Sequence, residues 1–302
     1  MTHEAVGIEA RVRAARGGAR TFARYLELTK PKQTALLMAT AIGAYLMSAG
    51  PEVGWLRFGA GMLALFAAIS GSTALNMVID RDIDAVMERT AARPLPSGAL
   101  SLRLALGFAL GVALGGLALA WWTDALFGVV TTAGLVFDVV IYSMWLKRRT
   151  AASILIGGIS GGMPAIAGRA LAIGTVDPIS LLLAAGVVLW IPAHILTLAM
   201  RHVGEYQAAG VPVWPAVHGE RSTRRLIAAA TAAAAAVLFV AGALARIHLV
   251  ALAGLALAGV GLSGLALVAF VWPSERRNWT LFKTASVYML FAFSCLTVGA
   301  MV

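Results

Sequence analysis

Asn76, Asp80 and Asp84 recur at four-residue intervals in the stretch Asn76-Met-Val-Ile-Asp80-Arg-Asp-Ile-Asp84, directly after a long apolar run. On a helix this spacing places three oxygen-bearing side chains on one face. Such a set suits a hard divalent cation such as Mg²⁺; Asp82 points elsewhere. Arg89 and Arg93 follow, ahead of the turn-forming Pro94-Leu95-Pro96-Ser97-Gly98. Carboxylates for a cation, with arginines beside them at a membrane edge, describe a site for a diphosphate. A second polar cluster, His194, Arg201, Glu205 and Tyr206, has His194, Leu198, Arg201 and Glu205 at i, i+4, i+7 and i+11, the spacing of one helical face. Two such clusters facing each other across a bundle would hold metal between them. A third run ends Tyr142-Ser-Met-Trp-Leu-Lys147-Arg148-Arg149, with Asp138 one turn before Tyr142. An ionisable residue at that depth is costly and faces a polar cavity or a partner.

The elements that carry these clusters follow from composition. Of 302 residues, 60% are hydrophobic and 13% charged, and mean hydropathy is +0.85. That balance excludes a soluble domain of this length. Repeated apolar runs of about 20 residues each cross roughly 30 Å of hydrocarbon, and their continuity excludes a membrane β-barrel. The expected fold is all-α and polytopic. About nine transmembrane helices, at 33–50, 54–75, 103–122, 125–146, 151–169, 178–200, 225–245, 248–271 and 283–301, form a bundle around a central cavity open to the cytoplasmic side. The first thirty residues lack the apolar core of a cleavable signal. Cys295 is the one cysteine, so no disulfide framework exists.

The net charge of +10 is distributed for a membrane rather than for nucleic acid. With nine spans, all but Arg57, Arg169 and Arg246 of the 24 Lys and Arg fall on one side. The positive-inside rule assigns that side, the N-terminus and the long loops to the cytoplasm, and the C-terminus to the outside of a bacterial-type cell membrane. Residues 1–24 read as a basic cytoplasmic arm and 25–302 as one transmembrane domain. Lys30 and Lys32, flanking Pro31, read as interfacial anchors, with Lys30 in reach of a phosphate. The glycines of the fifth run (Gly157, Gly158, Gly161, Gly162) read as close helix packing, with room for a bulky planar or chain-like ligand as the alternative. The polar residues of the last three runs, Ser286, Tyr288 and Ser294 among them, read as packing too.

Taken together, the blocks IDRDIDAVMERTAARPLPSG at 79–98, YSMWLKRRT at 142–150 and HILTLAMRHVGEYQAAGVPVWPAVHG at 194–219, with LTKPK at 28–32, resemble the UbiA-type intramembrane prenyltransferases. Within that superfamily they resemble the haem o synthase branch. The match runs in order from about residue 25 to 225. Four positions depart from the branch's usual pattern: Gly204 where a second acid is frequent, Ala165 and Arg169 where Pro and Trp are usual, and His202 where arginine or another basic residue is common.

The resemblance implies transfer of a farnesyl group from farnesyl diphosphate to a vinyl carbon of haem b. Haem is then a substrate, not a cofactor. It implies one or two Mg²⁺ on Asn76, Asp80, Asp84 and Glu205, with Asp80, Asp84, Tyr142 and Lys147 as the catalytic set. Lys30, Arg89, Arg93, Lys147, Arg148 and Arg201 would take the diphosphate. Tyr142, His194, Tyr206 and Asp138 would line the prenyl and acceptor pocket. Partners would be the two substrates and the lipid bilayer, with a haem a synthase or terminal oxidase assembly factors as docking candidates and no nucleic acid. Other acceptors of the superfamily (a quinone precursor, a chlorin or a lipid headgroup) remain the alternative at this point.

Overall fold

The computed structural model describes residues 20–51 and 53–302; most of the basic arm, 1–19, lies outside them. Helix α1 covers 20–28. Then come α2 (Pro31–Ala49), α3 (Trp55–Ile79), the short α4 (Arg81–Val86) and α5 (Glu88–Ala91), and α6 (Leu102–Thr123). They are followed by α7 (Ala125–Leu146), α8 (Ser153–Ile173), α9 (Pro178–Arg201), the short α10 (Val203–Ala208), α11 (Trp214–Leu244), α12 (Leu249–Val271) and α13 (Glu275–Met301). Among the described residues there is no β-strand.

Among the described residues, eight helices are long and apolar enough to cross a membrane: α3, α6, α7, α8, α9, α11, α12 and α13. The chain is an integral, multi-pass membrane protein. The ninth expected span forms α2, a helix of 19 residues whose first turn, Pro31-Lys32-Gln33-Thr34, is too polar to match the others. Proline suits that position because the first turn has no intrahelical acceptor for its missing N–H. Several helices outrun their expected apolar segments. Helix α11 begins at Trp214, bends at Gly219 (φ 76°) and only then enters its apolar run. Charged residues that end a hydrophobic segment do not end a helix; caps do. Ser101, Asp124, Asp177 and Ser274 each accept a hydrogen bond from a first-turn backbone N–H of α6, α7, α9 and α13.

Helices adjacent in the chain pack side by side, and α13 returns to pack on α2, closing the bundle. Small residues let the backbones meet. A Cβ on Gly71 of α3 would fall 2.4 Å from the Ala113 backbone of α6, and one on Gly168 of α8 would fall 2.1 Å from the Ala41 carbonyl of α2. The fifth expected span therefore uses at least part of its glycine for packing. Outward-facing positions are apolar instead: Leu56, Trp122, Leu257 and Val260 are each more than two-thirds exposed. That pattern suits acyl chains, not water. Two ion pairs, Arg57–Asp124 at 2.7 Å and Arg169–Asp177 at 2.6 Å, clamp the end of the bundle where α3 and α7 begin and α8 ends. The polar clusters of the sequence lie at the other end.

Candidate functional site

Helices α3 and α7 run side by side and form a ladder of polar contacts. Ser72 Oγ and Asn76 Nδ2 both donate to Asp138 Oδ2, the second at 2.8 Å. Ser143 Oγ donates to Asn76 Oδ1 at 2.9 Å. Lys147 Nζ lies 2.5 Å from Asp80 Oδ2. Residues 72, 76 and 80 follow the four-residue stripe of an α-helix. On the α7 side, residues 137–146 are wound as a π-helix, and Lys147 N–H donates to the Tyr142 carbonyl at 2.8 Å, five residues back.

The α3 stripe carries on into α4. The chain changes helix at Asp80 (φ −88°, ψ 4°), yet Asp84 N–H still donates to the Asp80 carbonyl at 2.8 Å. Asn76, Asp80 and Asp84 are all buried. Arg93 Nη1 closes on Asp84 Oδ2 at 2.7 Å. Asp82 does point elsewhere: it is exposed and takes both arms of the Arg148 guanidinium at 2.7 Å, and that contact holds its carboxyl down at about 2. The sequence assigned Arg148 to the diphosphate; here it also reaches the Ile79 carbonyl at 3.1 Å.

Electrostatics tie Lys30 and Lys147 to this group. Burial, then the positive charges of Arg93 and Lys147, push the half-buried Lys30 down to about 8. Lys30 sits in the left-handed region (φ 45°) just ahead of Pro31, a conformation that costs a non-glycine residue about 1–2 kcal/mol. For Lys147 burial opposes the charge, but the neighbouring Tyr142 and the Asp80 carboxylate outweigh it and hold the ammonium above the ordinary lysine range.

Among the described residues six buried side-chain atoms lack a hydrogen-bond partner, and one of them is a carboxylate oxygen. Asp80 Oδ1 has no hydrogen-bond partner. A buried carboxylate oxygen whose lone pairs meet no donor is costly, and those lone pairs are what a cation would bind. Among the described residues no three His, Cys, Asp or Glu side chains converge as a preformed cage. A cation on Asp80 would therefore take its remaining ligands from Asn76, Asp84, water or substrate oxygens.

The second cluster reaches the first only in part. Glu205 Oε2 accepts from the Arg89 backbone N–H at 3.1 Å, and its Oε1 lies 2.6 Å from His202 Nδ1. The Arg89 bond, outweighing a small burial cost, holds the Glu205 carboxyl below its usual value. This links α10 to α5, five residues after Asp84. Tyr206 falls within electrostatic reach of Tyr142 and Lys147. Tyr142 packs so closely on Gly157 that a Cβ there would come 2.4 Å from its ring, and Lys147 Nζ lies 5.8 Å from the ring centre.

The single face expected for His194, Leu198, Arg201 and Glu205 forms only in part. His194, in a second π-wound stretch (Pro192–Leu196), and Arg201 stay on one side, and a break at His202 (φ −114°, ψ 26°) turns Glu205 away from them. His194 is sandwiched between Trp190 and Phe282 at 4.9 and 4.7 Å, with Ser286 Oγ 3.0 Å from Nδ1. Arg201 lies over the Trp279 ring at 4.5 Å and 3.7 Å from Glu275. Both side chains thus meet α13, whose Ser286 is a partner of His194 and more than packing. Ser72 and Ser143 were missed by sequence reasoning. Ser72 was findable, one step back along the stripe of Asn76; Ser143, five residues after Asp138, shows only with the π-helical period.

The UbiA prenyltransferase family model matches residues 36–294. The chain is similar to the protoheme IX farnesyltransferase of Korarchaeum cryptofilum, 42% identical over 67% of this chain and 68% of that one. It is also similar to that of Desulforudis audaxviator, 37% identical over 91% and 87%. Its fold is like the solved structure of a UbiA homolog from Archaeoglobus fulgidus bound to GPP and Mg²⁺, with a TM-score of 0.66 at 16% identity over 91% of this chain and 99% of that one.

Proposed function

This chain belongs to the UbiA prenyltransferase family, and on that premise we propose that it is a haem o synthase, moving a farnesyl group from farnesyl diphosphate to a vinyl carbon of haem b. The observation that carries the site assignment is the unpartnered Asp80 Oδ1 beside the Asp80–Lys147 and Asp84–Arg93 pairs. The relatives named protoheme IX farnesyltransferase carry the acceptor.

Charge balance explains how the site works. Without ligand its carboxylates and cations neutralise one another. When the diphosphate enters, Lys147 and Arg93 exchange carboxylate oxygens for phosphate oxygens. Asp80 and Asp84 are freed at the same moment, and with Asn76 they would hold Mg²⁺; Glu205, now held by the Arg89 N–H, would join only by moving in with the substrate. Bound there, Mg²⁺ supplies Lewis-acid neutralisation of the leaving group, worth several kcal/mol. Lys30, Arg89 and Arg148 complete the positive rim, where a guanidinium fork can take two oxygens at once.

The C1–O bond of farnesyl diphosphate then breaks, and its electron pair leaves with the diphosphate. The apolar helices exclude water from the allylic cation, and the Tyr142 ring faces it as a π-donor. The terminal vinyl carbon of haem b attacks C1. Water adds to the carbon left positive and releases a proton, giving a hydroxyethylfarnesyl substituent. His194 and Tyr206 lie on the acceptor side. In this reading the cavity opens to the cytoplasm, with the arm at 1–24, the single domain at 25–302, and the charge bias of the loops setting the orientation.

The test is to incubate membranes containing the protein with Mg²⁺, labelled farnesyl diphosphate and haem b, and to weigh the product. Haem b plus a farnesyl and a hydroxyl group is expected. Label found on another acceptor, with haem b unchanged, would overturn the assignment.

A further inference from the structure

The ladder between α3 and α7 poses a geometric problem. Asp138 and Lys147 both reach α3, at Ser72 and Asn76 and at Asp80 respectively. They are nine residues apart. At 3.6 residues per turn nine residues make two and a half turns, so an α-helix would put them on opposite faces. A π-helix, with its i→i+5 bonds, takes about 4.4 residues per turn. Nine residues then make about two turns, and the two side chains share a face. Residues 137–146 are wound that way, and exposure agrees: Val140, which an α-helix would align with Lys147, is 47% exposed, whereas Ser143 is fully buried.

We propose that the π-helical winding of residues 137–146 is the register device of this site, and that Asp138 is a positioning residue: it holds the Asn76 amide beside Asp80 while the same face delivers Lys147 to Asp80. The inference deepens the reading of the site as the prenyl diphosphate site and rests on it for its kinetic consequence only. Asn76 is held from both ends, its Nδ2 by Asp138 and its Oδ1 by Ser143. This fixes which end of the amide faces which neighbour. Tyr142 is carried in the same segment, five residues before Lys147, and Gly157 leaves room for its ring. The wider turn thus sets three groups at once: the carboxylate that orients Asn76, the ring and the ammonium.

Crosslinking tests the winding directly. In a Cys295→Ser background, which removes the one native thiol, three double-cysteine proteins are treated in membranes with a short bis-thiol reagent. Asp80→Cys with Lys147→Cys should crosslink, and so should Ser72→Cys with Asp138→Cys. Ser72→Cys with Val140→Cys should not. Crosslinking of the Val140 pair, or failure of either of the other two, overturns the proposal. These readings need no substrate, so they stand or fall apart from the prenyl-transfer reading.

Kinetics tests the positioning role. Asp138→Asn keeps an acceptor for the Asn76 amide and should retain kcat/KM for the prenyl diphosphate within about threefold. Asp138→Ala strands that amide and should lose about tenfold or more. Equal losses in both variants, or lower yield with unchanged kinetics per folded molecule, overturn it.

Discussion

Replacing Lys147 with Met separates what the Asp80–Lys147 pair does for the fold from what it does for the substrate. The two groups meet at 2.5 Å, with the lysine side chain 16% exposed and the aspartate 6%. Both are buried enough that solvent screens them little. Removing the ammonium leaves Asp80 with neither oxygen paired, because Oδ1 has no partner already. An uncompensated buried charge costs about 3–5 kcal/mol. The variant should therefore melt earlier in detergent, and Mg²⁺ should restore part of the loss by taking the vacated oxygen. The double variant Lys147→Met/Asp80→Asn removes both charges and should recover most of that stability, since replacing both partners is far cheaper than stranding one. Activity should not follow. Losing one charge-assisted hydrogen bond to the diphosphate is worth about 1.5–3 kcal/mol, a rise of about 10- to 150-fold in the KM for farnesyl diphosphate. The KM for haem b should barely move. The assay is thermal unfolding in detergent alongside two-substrate steady-state kinetics. A double variant no more stable than Lys147→Met, or equal changes in both KM values, would refute the charge-exchange reasoning.

Three further outcomes follow. Asp80→Ala and Asp84→Ala should each abolish turnover while the protein stays monodisperse in detergent by size-exclusion chromatography; normal activity in either removes that residue from the site. Burial and the charges of Arg93 and Lys147 depress Lys30 to about 8, so it loses its proton as pH rises through 8, and farnesyl diphosphate affinity should weaken above that pH. Lys30→Gln should bind more weakly at pH 7 and lose that dependence, measured by titration calorimetry from pH 6.5 to 9.5. The same depression adds stability as pH rises from about 8 toward the ordinary lysine value of 10.5, because the unfolded chain binds the extra proton there. Finally, Gly71→Ala drives a methyl to 2.4 Å from the Ala113 backbone. It should cost about 1–3 kcal/mol, seen as a lower melting temperature with KM unchanged.

Much of this arrangement is written locally in the chain. Apolar runs of membrane length give the spans, and the four-residue interval of Asn76, Asp80 and Asp84 survives a change of helix at Asp80 because the Asp84 N–H to Asp80 carbonyl bond bridges it. The resemblance carried by three sequence blocks points to the family that the match over 36–294 then establishes. What escaped has a common cause, the assumption of 3.6 residues per turn everywhere. It put His194, Arg201 and Glu205 on one face, where the break at His202 turns Glu205 away from the other two. It also hid Ser143 from Asp138. Partner choice was illegible for a different reason. Arg148 on Asp82 and Arg93 on Asp84 are separated by 66 and 9 residues, and only the packing of α4 against α3 and α5 decides which basic group meets which acid.

Mn²⁺ in place of Mg²⁺, followed by electron paramagnetic resonance in the presence of an unreactive thio-analogue of farnesyl diphosphate, tests the central claim most directly. The account predicts a protein-bound signal that requires the analogue, vanishes in Asp80→Asn and Asp84→Asn, and persists in Asp82→Asn and Arg201→Ala. A bound signal that survives Asp80→Asn, or that is lost in Asp82→Asn, would contradict it.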